Sequence, residues 1–134
     1  MTMNESELIQ KAAAARQEAY APYSGFRVGA ALLCDDGRVF SGANVENAVY
    51  GLSICAERVA VAKAVSEGCR RFEAMALIAD GPTPCSPCGS CRQFLAEFGA
   101  ETLVIMANTS GEIKRAKVKD LLPMAFTSEQ LFNK

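Results

Sequence analysis

Apolar and polar positions along the chain change period several times, and each change marks an element. The stretch NESELIQKAAAARQEA puts Leu8, Ala12, Ala15 and Ala19 on one helical face and opens with an Asn4/Glu7 pair suited to a capping box. It predicts a first helix from Asn4 to about Ala19. Pro22 and Gly25 break that pattern, and RVGAALLCDDGRVFSGANV then reads as two strands joined around Asp36-Gly37. CAERVAVAKAVSEG predicts a second helix from about Cys55 to Glu67, stopped by Gly68. FEAMALIAD and ETLVIMAN are nearly continuous apolar runs, the pattern of strands covered on both faces. Between them, GPTPCSPCG is a loop leading into a third helix, CGSCRQFLAEF, with Gly99 as its stop. TSGE is a turn, IKRAKV an edge strand and KDLLP a short final segment. MAFTSEQLFNK carries Phe126 and Phe132 outside any clear element, either as a tail packed on the core or as one that reaches a neighbouring subunit.

The order α-β-β-α-β-α-β-β implies an α/β fold: a three-layer α/β/α sandwich around a mixed sheet of about five strands. A chain of 134 residues supports one sizeable core, so residues 1–134 are expected to form a single domain. The formal net charge is −1 and like charges run no longer than pairs such as Arg70-Arg71, which argues against long nucleic acid as a partner. Apolar runs fall far short of the roughly 18 residues of a membrane span. The start MTMNESELIQ lacks a charged region leading into an apolar signal segment. The expected location is cytoplasmic, with no membrane partner.

Six cysteines and no histidine change the picture more than charge does. Metal or catalytic use of the thiols is the better reading in such a chain, and any metal site must be built from thiolates or carboxylates. In an open α/β sheet, ligands sit at the carboxyl ends of strands, where the following helices begin. Cys55 starts the second helix, and Cys88 and Cys91 stand three apart at the start of the third. Helix N-termini favour thiolate, and Arg58 and Arg92 add positive charge. Three thiolates on zinc leave one tetrahedral position open, the pattern of a catalytic site, with Glu57 as the base beside the water that fills it. Because positions two apart do not share a helical face, Cys55 is expected at the cap. P-C-x-x-C fits both Cys85/Cys88 and Cys88/Cys91; the second register is preferred because Pro87 separates Cys85 from the helix. Cys34, in a strand, and Cys69, after a helix stop, read as buried or bystander thiols.

CAER, PCGSCRQ, PYSGFRVGAAL and GANVENA together resemble the small homotetrameric cytidine deaminases, and the likeness runs from Tyr20 to Phe126. Cys55 stands where the wider zinc deaminase signature H-x-E…P-C-x-x-C has histidine. The resemblance implies one zinc per chain on Cys55, Cys88 and Cys91, with Glu57 as proton shuttle. It implies hydrolysis of cytidine, and of deoxycytidine, to the uracil nucleoside and ammonia in pyrimidine salvage. It gives Asn44 and Glu46 the ribose hydroxyls, Phe26 the pyrimidine face, the backbone at Ala56 the base edge, and Phe126 a neighbouring subunit's site. Arg58 is the candidate for hydrogen bonding a ligand sulfur, and Tyr50 for the subunit contact. The implied partners are a nucleoside substrate and further copies of the chain, in a homotetramer with shared sites. Three alternatives stay open: a deaminase of a related nucleoside such as blasticidin S or of a base within RNA, a non-catalytic domain with zinc on four thiols including Cys85, and a dithiol redox protein using Cys88 and Cys91.

Overall fold

The computed structural model describes residues 3–132. Its elements are α1 (Glu5–Arg16), β1 (Val28–Cys34), β2 (Val39–Ala43), α2 (Ala56–Ser66), β3 (Phe72–Ala79), α3 (Gly89–Ala96), β4 (Leu103–Asn108), β5 (Ile113–Lys117), α4 (Val118–Leu121) and α5 (Ser128–Phe132). A single 3-10 turn, Tyr50–Leu52, lies in the connection between β2 and α2.

One five-stranded sheet is ordered β2-β1-β3-β4-β5. Strand β1 is antiparallel to both β2 and β3, β3 is parallel to β4, and β5 is antiparallel to β4. Strands β2, β3 and β4 therefore run in one direction and end at the same edge of the sheet. Helices α2 and α3 follow β2 and β3, so both begin at that edge. The convergence of two helix N-termini is thus a property of strand direction and chain order.

The two faces of the sheet follow the two-residue alternation of its strands. Ala30, Leu32, Met75, Leu77, Val104 and Met106 pack under α2 and α3, against Ala60, Val61, Ala64 and Leu95. Ala31, Leu33, Ala76, Ile78 and Ile105 pack on the other side against Leu8 and Ala12 of α1. This is the expected three-layer sandwich. Strand β5 is mostly exposed, as befits an edge with three basic residues in IKRAK.

The capping box forms as expected: Glu7 N–H donates to Asn4 Oδ1 at 2.8 Å and Asn4 N–H to Glu7 Oε1 at 3.1 Å. Such a cap contributes about 1 kcal/mol. Helix α1 stops at Arg16, three residues short of the expected Ala19. The N–H groups of Gln17, Glu18 and Ala19 bond three residues back, tightening the last turn, and Arg16 Nε donates to Arg27 O at 2.9 Å. The tail also differs from expectation, because Phe132 lies in the short helix α5 while Phe126 stays outside any element.

Two glycines are required by close approach. A Cβ on Gly29 would lie 1.9 Å from Ala12 O, under α1. A Cβ on Gly42 would lie 2.7 Å from both Ala56 O and Ala60 N, in the first turns of α2. The backbone of α2 therefore rests directly on β2.

Candidate metal and active site

Both helices that start at the shared edge have cysteine as the N-cap. Cys55 caps α2 with φ −70° and ψ 152°, as expected, and Cys88 caps α3 with φ −69° and ψ 168°. Cys88 thus precedes its helix by one residue, and Cys91 lies in the first turn. An extended cap residue aims its side chain across the helix end, which lets sulfurs from two helices meet. Cys88 Sγ is 3.4 Å from Cys91 Sγ and 3.9 Å from Cys55 Sγ, and all three lie within 4.8 Å of one another. Tetrahedral zinc with Zn–S bonds of about 2.3 Å separates its sulfurs by about 3.8 Å, inside that spread. Cys85 stands outside the trio.

The electrostatics suit an anionic cluster. Hydrogen bonding from the Cys91 thiol, then from Cys88 and Arg58, brings the Cys55 thiol down to about 5 against the opposing effect of burial. Cys91 is pushed up, first because its proton bonds the Cys55 sulfur and then because it is buried beside negative charge. The Cys55 sulfur is therefore the one at which negative charge is favoured. The guanidinium of Arg58 lies beside Cys55 and Cys91, as expected; its Nη2 donates to Ser53 O at 3.2 Å, and its buried Nε has no partner. A guanidinium with a free Nε beside the cluster and three soft donors within 4.8 Å of one another fit a thiolate-bound zinc.

Glu57 is only 5% exposed. Burial raises its carboxyl above the ordinary range, the Cys55 thiolate adds to that, and its own N–H, Cys91 and Arg58 oppose it. A cavity of about 240 Å³ brings Glu57 together with Cys55, Cys88, Ala56, Phe26, Asn44 and Glu46, and adds Cys85 to the wall. Phe26 is 50% exposed at its rim. Asn44 Oδ1 accepts from Val28 N–H at 2.9 Å and its Nδ2 donates to Phe26 O at 2.8 Å, so this side chain ties the rim residue to the start of β1. Glu46 Oε1 accepts from the N–H groups of Tyr23 and Ser24 at 2.9 and 3.1 Å, and its other oxygen accepts from the Ser24 hydroxyl. These bonds, led by the hydroxyl, hold Glu46 below the usual carboxylate range. Both side chains hold the loop before β1 and retain acceptor capacity toward the cavity.

Seven of the residues singled out from sequence thus line one cavity, Cys91 completes the sulfur trio and Arg58 lies beside it. Phe126 is not among them. It is 58% exposed, its carbonyl accepts from Gln93 Nε2 at 2.8 Å, and it lies beside Ala96 and Glu97 at the far end of α3.

The family described as "Cytidine and deoxycytidylate deaminase zinc-binding region" matches residues 2–107. The chain belongs to this deaminase family. A cytidine deaminase of Halalkalibacterium halodurans is 52% identical over 130 residues, covering 96% of this chain and 98% of that one. The crystal structure of a cytidine deaminase from Burkholderia pseudomallei superposes with a TM-score of 0.91 at 48% identity, covering 92% of this chain and 100% of that one. A blasticidin-S deaminase of Bacillus cereus is more distant, 25% identical over 75% of this chain and 76% of its own length.

Membership in the deaminase family carries the zinc with it, but two features of the structure were not anticipated. Arg92, counted in the sequence only as charge, is a clamp: Nε donates to Pro87 O at 2.8 Å, Nη1 to Leu121 O at 2.7 Å and Nη2 to Ser86 Oγ at 2.8 Å. A long donor four residues past the Cys88 cap was the available signal. The other is a correction in part: Cys34 and Cys69, read as buried or bystander thiols, are buried, but they are joined in a disulfide rather than free. A register shift between Leu33 and Cys34 at the end of β1 and the turn after α2 bring these buried residues together across 35 positions.

Proposed function

We propose that this chain hydrolyses cytidine, and deoxycytidine, to uridine or deoxyuridine and ammonia, as a zinc-dependent enzyme of pyrimidine salvage. The reading is carried by one observation: three thiols within 4.8 Å of one another at two helix starts, with a buried carboxyl in the same cavity. Cys55, Cys88 and Cys91 hold the ion. When bound, zinc supplies the Lewis acidity that makes water nucleophilic near neutral pH. Glu57 takes a proton from the attacking water, delivers it to ring N3 and then carries a proton to the departing amino group. Arg58 offsets the charge of the sulfurs.

Phe26 packs on the pyrimidine, the backbone at Ala56 reads the base edge, and Asn44 and Glu46 accept from ribose hydroxyls. A site built to bond those hydroxyls rejects a bare base by leaving its own polar groups unpaired. No basic residue lines the cavity, which suits an uncharged nucleoside. Stronger identity to the cytidine deaminase than to the blasticidin-S enzyme, 52% against 25%, supports cytidine. The position of Cys85 outside the trio supports a catalytic rather than a four-thiol structural zinc.

The working form is a homotetramer in which Phe126 enters a neighbour's cavity. Its exposure, and that of Tyr50 and Phe132, supports the idea that the apolar side chains outside the core are covered by other copies. The cytoplasm is its compartment; among the described residues no helix is long and apolar enough to cross a membrane. The test is to mix the protein with cytidine and follow conversion to uridine with and without a chelator. Conversion abolished by chelation and restored by zinc is expected; no conversion by zinc-loaded protein would overturn the reaction. Light scattering checks the assembly, and a one-chain mass would overturn it.

A further inference from the structure

Cys85 lines the cavity beside Glu57, Cys55 and Cys88, yet belongs neither to the metal trio nor to the disulfide. Its side chain packs against the core under α2 and α3, and its backbone N–H donates to Ala107 O at 3.1 Å, anchoring it to the end of β4. The chain around it is held from several sides. Pro84 and Pro87 lock their φ angles on either side, and the Arg92 clamp grips Ser86 and Pro87 and ties them to Leu121. The backbone that carries the Cys85 thiol is thereby held against retreat from a larger ligand.

We infer that Cys85 is a specificity-determining residue: its thiol forms the rigid deep wall of the base slot and limits what the pyrimidine carries at C5. This rests on the proposed deamination. The reacting carbon C4 must lie at the sulfur trio, and N3 must lie within reach of Glu57, so the deep end holds N3, C4 and C5. N3 carries no substituent in cytidine, and C6 lies toward the sugar. C5 is therefore the ring position whose substituent meets a wall at the depth of Glu57 and Cys55.

The experiment compares kcat/KM for 5-methylcytidine with that for cytidine in the zinc-loaded enzyme and in Cys85→Ala, Cys85→Ser and Cys85→Val. One methylene in a packed slot discriminates by about 10–200-fold. The ratio is expected to rise about tenfold in the alanine variant, to rise in the serine variant and to fall in the valine variant, with zinc still at one per chain. If the alanine variant does not fold, the serine and valine variants decide by opposite shifts. A ratio that stays within about twofold in the folded variants, or moves the same way in serine and valine, overturns the inference while leaving deamination standing. Failure of the unaltered enzyme to deaminate cytidine overturns both.

Discussion

Helix α2 has a cysteine at each end, and the two have opposite fates. Cys55 at the N-cap is drawn down to about 5 and lies within 4.8 Å of two further thiols. Cys69, just past the C-cap at Glu67, is buried and bonded to Cys34. The N-terminal end offers unpaired N–H groups and a positive dipole, which favour a thiolate and hence a metal; the other end offers carbonyl oxygens, which favour neither. In α2 the thiol at the positive end joins the metal cluster and the thiol past the other end fastens the chain.

The sharpest division of labour is expected from Glu57→Gln, which keeps the fold and zinc but lowers turnover by about 10²–10⁴-fold. Near-normal turnover would remove Glu57 from its role, and loss of zinc would move it into the ligand set. The anion at Cys55 is tested by loading reduced, metal-free protein with zinc at pH 7 in weak buffer. Because the Cys55 thiol is lowered to about 5, that residue should contribute no proton on loading at pH 7, and a release per ion as large as from three ordinary thiols would erase the contrast between the helix ends. The sign for acid follows: protons compete with zinc for the thiols, so zinc is held more weakly as pH falls, and below about 5 protonation of Cys55 adds to the loss.

At the opposite end of α2, Cys34→Ser should lower stability by about 3–4 kcal/mol through the freed 35-residue separation, leaving zinc content unchanged. Denaturation with and without reductant measures this; an unchanged midpoint would mean that the bond fastens nothing. Glu5→Gln, far from α2, sets the floor of the scale. The pair Glu5–Arg115 is 2.5 Å apart but exposed, so its loss should cost less than about 1 kcal/mol. Arg115 lowers the Glu5 pKa, so the pair's contribution is present above 4.5, and the difference between variant and parent should fade as acid passes the lower folded value.

Sequence pattern was enough for the sheet, because strands covered on both faces and strands at an edge differ in composition, as FEAMALIA and IKRAK do. It was enough for the metal trio because the helix stops and starts bracket Cys55, Cys88 and Cys91. It missed contacts between residues distant in the chain that no local pattern records: Cys34 with Cys69, Arg92 with Leu121, and Cys85 with the cavity. The early end of α1 was missed for the same reason, since Arg16 is drawn away by Arg27 and Asp80.

Gly42 touches neither metal nor cavity, yet a methyl group there would collide with the backbone at Ala56 and Ala60 and lift the helix that begins beside Cys55. A lone hydrogen on the neighbouring strand thus works as a shim for the active centre. A survey of activity across all substitutions would score position 42 as though it took part in the reaction.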